Sequence, residues 1–280
     1  MRVMISGGSG FIGQYVIARL EELGCETYVY DRSLGRSFDV LDLDHLLGYV
    51  GVLQPDAIIH LAGVLGTNEL WDSTDRAIDV NIKGGLNVGR AALEVGAKLV
   101  SIEQPHIWYN VYEATKLALR RMLTGLHYDQ GLQVDFVTAH NAFGAGQAHG
   151  AGHPVKIVPA FSTAAWQGEP IEIWGSGYQR VNLIHAADVA DALVGRAVVR
   201  ASRPHHEFQA GTNKLMDVID VANLIREYVA DNGEQQVPIT HKSMRRGEQS
   251  LVFDYPKPTE DYLYEFRVED LYSTIESYRP

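Results

Sequence analysis

Tyr112-Glu113-Ala114-Thr115-Lys116 sets a phenol and an ammonium four residues apart. On a helix that spacing puts both on one face. A phenol titrates near ~10, too high for a base at neutral pH. A neighbouring cation favours the phenolate. Lowering the value by ~3 units takes about 4 kcal/mol of differential stabilisation, which two positive charges in a dry cleft can supply. Taken alone, the spacing is common, and such pairs are more often surface contacts. A second group sits at the other end of the first half of the chain, in Gly7-Gly8-Ser9-Gly10-Phe11-Ile12-Gly13. This run follows an apolar stretch and opens an amphipathic one. A pyrophosphate needs bare backbone at close range and unpaired helix N–H groups aimed at it. Gly7 permits the tight turn, Gly10 the close approach, and Gly13 the packing of helix on strand. Asp31 ends the next strand, where a carboxylate accepts bonds from an adenosine ribose and repels a 2′-phosphate. The pattern predicts a bound dinucleotide, NAD in preference to NADP. Arg32 follows and offers a 2′-phosphate a partner, so the preference is not absolute.

The elements that must hold these groups are legible from periodicity. Arg2–Ser6, Thr27–Tyr30, Ala57–Leu61, Lys98–Ile102 and Val134–Ala139 read as strands. Phe11–Leu23, Leu41–Leu53, Thr74–Val95 and Asn110–Gln130 read as the helices between them. Apolar strands alternating with helices predict a Rossmann-type α/β fold, a doubly wound parallel sheet covered on both faces. After Gly144 the texture changes. Gly144–His153 reads as a mobile loop, and Val155–Gln167, His185–Val199, Asp217–Ala230 and Val268–Ser277 as helices. Pro170–Trp174 and Arg180–Ile184 read as short strands around the turn Gly175-Ser176-Gly177. The expected division is a dinucleotide-binding domain over 1–150, to which 180–212 returns, and a smaller C-terminal α/β substrate lobe from 151–179 and 213–280.

Composition narrows the function classes. The 280 residues are 46% hydrophobic and carry a formal net charge of −11, an acidic balance that disfavours nucleic-acid and anionic-membrane partners. The N-terminus does not read as a signal peptide, and no stretch approaches the ~18 apolar residues of a membrane span. Cys25 is the sole cysteine, which excludes an intrachain disulfide and fits a reducing, cytoplasmic setting. None of the eleven histidines has the carboxylate or cysteine spacing of a zinc site. His149, His153, His205 and His206 read as solvated loop residues, His60 and His185 as structural. Trp71, Trp166 and Trp174 read as core or lobe contacts rather than stacking platforms.

Beyond the turn and the Tyr–Lys pair, further segments run in the same order as in a known family. Phe38-Asp39-Val40, His60-Leu61-Ala62-Gly63, Asp79-Val80-Asn81 with Gly84, His140-Asn141-Ala142-Phe143-Gly144, Leu183–Ala190 and Arg245-Arg246-Gly247-Glu248 complete the set. Together they resemble the extended short-chain dehydrogenase/reductase family, specifically its NAD-dependent nucleotide-sugar epimerases and dehydratases. The resemblance implies cofactor contacts at Gly7, Gly10, Phe11, Ile12, Gly13, Asp31, Arg32, Asp39, Val40, Leu61, Ala62, Gly63, Asn81, Tyr112 and Lys116. It implies contacts to a nucleotide-sugar substrate at Asn141, Arg180 and Arg245, and a homodimer built on the two long helices. It also implies a reaction in which Tyr112 takes a sugar hydroxyl proton while NAD takes and later returns a hydride.

Two departures stand out. The family carries a Ser/Thr cluster at the end of the fifth strand, where this chain has Glu103-Gln104. Gln104 could donate its amide to the reacting oxygen, Glu103 could serve as an extra acid or base, or the oxyanion partner is lost. A keto-sugar reductase and a non-catalytic NAD-binding regulator are therefore kept as alternatives. The family's Arg-Asp-Phe step reads Val181-Asn182-Leu183 here, with Arg180 one position early. On a strand one step reverses the face, so Arg245 is the better phosphate candidate.

Overall fold

The computed structural model describes residues 1–148, 155–199, 206–245 and 255–280. The five apolar runs become β1 (Arg2–Ser6), β2 (Glu26–Tyr30), β3 (Ala57–His60), β4 (Lys98–Glu103) and β5 (Val134–Ala139). Between them lie α1 (Phe11–Glu22), α2 (Leu43–Leu53), α3 (Thr74–Ala77), α4 (Gly85–Val95) and α5 (Val111–Gln130). These bounds agree with the periodicity to within two residues. Alternate residues of β1 explain the layering. Val3 and Ile5 pack with Val16 and Leu20 of α1, while Met4 faces Leu46 and Val50 of α2, Val88 of α4 and Leu119 of α5. Strands buried on both faces need apolar residues at every position, which is what the runs contain.

The chain continues through β6 (Asn141–Phe143), α6 (Ile157–Trp166), β7 (Ile171–Trp174), β8 (Arg180–Val181), β9 (Leu183–His185) and α7 (Ala186–Val198). It ends with β10 (His206–Thr212), β11 (Met216–Asp217), α8 (Val218–Asp231), β12 (Ile239–Lys242), β13 (Leu263–Tyr264) and α9 (Val268–Glu276). The main sheet has the order β13-β10-β5-β4-β3-β1-β2, with every pairing parallel. After β2 the chain crosses back over β1 to lay down β3, so the direction of strand addition reverses between β1 and β3. Ligands of open α/β sheets bind beyond the carboxyl ends of strands at such a point. Beside this edge a second core gathers Phe161 and Trp166 of α6, Ile171 and Ile173 of β7, Val221 and Ile225 of α8, and Leu271 and Ile275 of α9. β13, late in the chain, returns to the edge of the main sheet.

Four features differ from the periodic reading. The helix expected over Thr74–Val95 contains a π-helical stretch, Ile78–Gly84, between α3 and α4. The strand expected over Arg180–Ile184 breaks at Asn182. That side chain accepts from Thr212 N (2.7 Å) and donates to Thr212 O (2.9 Å) and Lys214 O (3.2 Å), so β8 pairs with β11 and β9 with β6. The start of the expected mobile loop is tied down: Tyr15 OH donates to Ala145 O and Tyr278 OH to Gln147 O, each at 2.9 Å. Finally, His206 opens β10 rather than sitting in a loop, because its backbone pairs with Asp135 of β5. His149 and His153, with His205, lie outside the described residues.

Candidate active site

The glycine turn joins β1 to α1. Gly7 has φ +77°, and a Cβ there would stand 2.5 Å from Ala62 N, so its bareness lets the turn lie against the loop after β3. A Cβ on Gly13 would stand 2.2 Å from Gly8 O; this glycine lets α1 start directly under the turn. Gly10 is the N-cap of α1 and no side chain caps that helix. The first-turn N–H groups are thus left for an anion. Asp31 follows β2 at the cleft's edge, its carboxylate accepting from Ser33 N (2.9 Å) and Ser9 N (3.3 Å). Those bonds orient it and leave further lone pairs for ribose hydroxyls.

One cavity of ≈1330 Å³ takes in Gly7, Gly10, Phe11, Ile12, Gly13, Asp31, Arg32, Asp39, Val40, Leu61, Ala62 and Gly63, and runs on past Tyr112. Arg32 is engaged: its Nε lies 3.4 Å from Asp39 Oδ2. Asn81 is not on the cavity wall. It is 1% exposed, and its Oδ1 accepts from Val64 N (2.8 Å) while its Nδ2 donates to Val64 O (3.1 Å) and Thr115 Oγ1 (3.0 Å). Its place is beneath the loop that carries Leu61, Ala62 and Gly63. The Asn81 side chain, in the π-helical stretch, points beneath that loop and bonds to Val64 and Thr115.

The reacting end is built from β4 and α5. Asn110 caps α5, its Oδ1 accepting from Glu113 N at 2.9 Å, and the first turn then presents Tyr112 to the cleft. Lys116, one turn on, is 4% exposed and does not reach the cavity wall. Its Nζ lies 3.9 Å from Glu103 Oε1. Glu103 also accepts from Ser101 Oγ (3.2 Å). Burial raises the Glu103 carboxyl, opposed by Lys116 and Arg120. Burial, then the Glu103 charge, push the Tyr112 phenol upward from its ordinary value. The direction is opposite to the lowering that the Tyr–Lys spacing suggests, and burial is its main cause. Gln104 lines the cavity, and its buried Nε2 has no partner among the described residues.

The far end holds the remaining candidates. Asn141 Oδ1 accepts from Tyr255 OH (2.6 Å) and Asn182 N (3.1 Å). Both of its lone pairs are thereby taken, and the amide nitrogen is the group left to meet a ligand. Arg180 lines the cavity, but its Nε lies 3.0 Å from Asp217 Oδ1. Arg245 lies over the Trp174 ring at 5.7 Å and Lys242 over the same ring at 5.6 Å. Arg246, Gly247 and Glu248 are outside the described residues. No group of His, Cys, Asp and Glu among the described residues could hold a metal ion.

A family model described as "NAD dependent epimerase/dehydratase family" matches residues 3–103 and 105–211. The chain belongs to this family. Its cofactor is NAD, which the uncapped α1 and the Asp31 carboxylate fit. UDP-glucuronic acid decarboxylase 1 of Xenopus tropicalis is 25% identical over 267 residues, covering 83% of this chain and 61% of the relative. The dTDP-glucose 4,6-dehydratase of Haemophilus influenzae is 22% identical, covering 98% of this chain and 92% of the relative. The chain thus spans 61% and 62% of the length of two of the curated relatives it matches. Among solved structures, the UDP-glucose 4-epimerase of Thermus thermophilus, in complex with NAD, has a TM-score of 0.86 at 20% identity, covering 100% of this chain and 99% of that one. At that identity the likeness establishes the fold.

Several cavity residues of this family member escaped sequence reading. Trp174 was expected in a core or lobe contact, yet it lines the cleft. The signal was present: in β7, Ile171 and Ile173 are buried, so alternation sends Glu172 and Trp174 the other way. Lys242 reaches the same wall because β12 pairs with β7, and that partnership has no local signature. Arg76 and Trp108 also line the cavity from loops and helix ends. Trp166 is core, its Nε1 donating to Ile275 O (2.9 Å).

Proposed function

We propose that this chain is an epimerase or dehydratase of a nucleotide-activated sugar, working through a transient 4-keto sugar. The observation that carries this reading is the single cavity running from the glycine turn, past Tyr112 and Gln104, to Asn141, Trp174 and Arg245. NAD, when bound, would supply reversible hydride-transfer chemistry beside the sugar. Gly7–Gly13 and the start of α1 take its pyrophosphate, and Asp31 takes the adenosine ribose. Tyr112 exchanges the proton of the sugar hydroxyl. Gln104 donates its unpartnered Nε2–H to the same oxygen, in place of the family's hydroxyl. Arg245 and Lys242 answer the substrate phosphates, and Asn141 offers a donor to them. Arg180, paired with Asp217, is a secondary contact.

We read 1–150 with 180–212 as the cofactor-binding domain and 151–179 with 213–280 as the substrate lobe, from which β13 returns to the main sheet. Exposed Leu117, Met122 and Tyr128 on α5 and Ile78 before α4 support a homodimer on these helices. A monomeric mass at micromolar concentration overturns the dimer.

The test is to incubate the NAD-bound protein with a panel of nucleotide sugars and to read products by NMR. Absence of turnover on every sugar overturns the reading. A keto-sugar reductase is the second reading, favoured by the upward push on the Tyr112 phenol, which keeps a proton ready for a carbonyl oxygen. Stoichiometric consumption of NADH or NADPH distinguishes it, since an epimerase consumes neither.

A further inference from the structure

Behind Tyr112 lies a buried charge system that the proposed chemistry does not need in order to bind NAD or sugar. Glu103 is 3% exposed and Lys116 is 4% exposed. Their charged atoms stand 3.9 Å apart, and Ser101 Oγ donates to the same Glu103 Oε1. Glu103 Oε2 has no partner among the described residues. A carboxylate in so dry a place is costly unless a cation answers it. The nearest cations come from α5, where Lys116 and Arg120 lie one turn apart. Arg120 is itself paired with Glu207 of β10. From the loop after β4, His106 feels Arg120, Glu207 and Lys116, and burial lowers it. From β3, His60 feels Lys116 and is lowered to about 3. Among the described residues, the ion pair that Lys116 makes is with Glu103.

We propose that Glu103 is a positioning residue whose carboxylate holds the Lys116 ammonium and so weakens its pull on the Tyr112 phenol. The proposal rests on the reading of Tyr112 and Lys116 as the reacting pair. An isolated ammonium one turn from a phenol draws the phenol toward phenolate. A close ion pair presents a dipole instead, and the attraction it exerts at the phenol is largely cancelled. Burial of Tyr112 and the Glu103 charge act in the same direction. Before Tyr112 can take a proton from a sugar hydroxyl, it must release its own to solvent, so sugar oxidation gains from alkaline pH. Giving a proton to a carbonyl oxygen requires no such release. The family's hydroxyl at this position carries no charge, and the Glu103 carboxylate therefore changes the electrostatics of the site as well as a hydrogen bond.

The test follows the phenol itself. Tyrosinate absorbance is titrated in the NAD-bound full chain, and the Tyr112 contribution is the difference from Tyr112→Phe. The expected wild-type midpoint lies above the ordinary tyrosine value of about 10, or is not reached before alkaline unfolding. Glu103→Gln is expected to lower it by at least one pH unit, a tenfold rise in acidity. A wild-type midpoint below the ordinary value overturns the proposal, as does a folded Glu103→Gln that titrates with the wild type. Glu103→Ser removes the same charge and gives the same comparison if the glutamine variant does not fold; an unmoved midpoint there overturns it equally. A midpoint that moves in a protein turning over no sugar overturns the proposed reaction and upholds the charge pairing.

Discussion

Lowering the pH should destabilise this fold through His60 before most carboxylates are touched. His60 ends β3 directly below the cofactor loop. It is 1% exposed, with Nδ1 2.7 Å from Ser6 Oγ and Lys116 nearby. Burial first, then the Lys116 charge, lower it from 6.5 to about 3. The folded state therefore keeps the ring neutral where the unfolded chain protonates it. The unfolded state binds more protons between those two values, so stability falls as pH falls through that window. At 1.36 kcal/mol per pH unit, the cost is about 2 kcal/mol at about pH 5 and about 4 kcal/mol near pH 3. The assay is urea unfolding across this range for the wild type and for His60→Asn, which removes the titration and leaves a polar partner for Ser6. The wild type should lose about 2 kcal/mol more than the variant between about pH 7 and pH 5. Parallel pH dependences in the two proteins would refute a buried neutral imidazole at this site.

Asn81→Asp removes the amide donor to Val64 O and Thr115 Oγ1 and buries a charge. Thermal unfolding should report a loss of about 2–3 kcal/mol, and calorimetry a weaker NAD affinity as the loop of Leu61, Ala62 and Gly63 loosens. Asp31→Asn removes the negative charge at the ribose site, and the preference for NAD over NADP should narrow by about tenfold in paired fluorescence titrations. Trp174→Ala strips the ring that Lys242 and Arg245 cover. Steady-state kinetics on the substrate found by the NMR panel should show KM rising about tenfold, with kcat little changed.

Much of the site was legible because it is written locally. Gly7–Gly13 is a single turn between a strand and a helix, and its steric demands fall on consecutive residues. Tyr112 and Lys116 share a face through helix geometry alone. Asn141 and Arg245 were reachable only by resemblance, and the structure then showed what occupies them: Tyr255 and Asn182 on the Asn141 carbonyl, and the Trp174 ring beneath Arg245. The hydrogen bonds of Asn81 were not legible for the opposite reason. A motif gives its neighbourhood, whereas the π-helical turn that buries it depends on packing against Val64 and Thr115.

The order of residues was enough to set the alternation of strands and helices, the phosphate turn and the Tyr–Lys face, since each depends on contacts within a few residues. Packing in three dimensions set which charges surround that face. Glu103 meets Lys116 because β4 and α5 pack together, and Arg120 meets Glu207 because β10 joins the sheet beside β5. Electrostatic partners are chosen by distance in space, and burial multiplies the effect of each one. The Tyr–Lys spacing is the same in either case, and only the fold decides which other charges stand beside it.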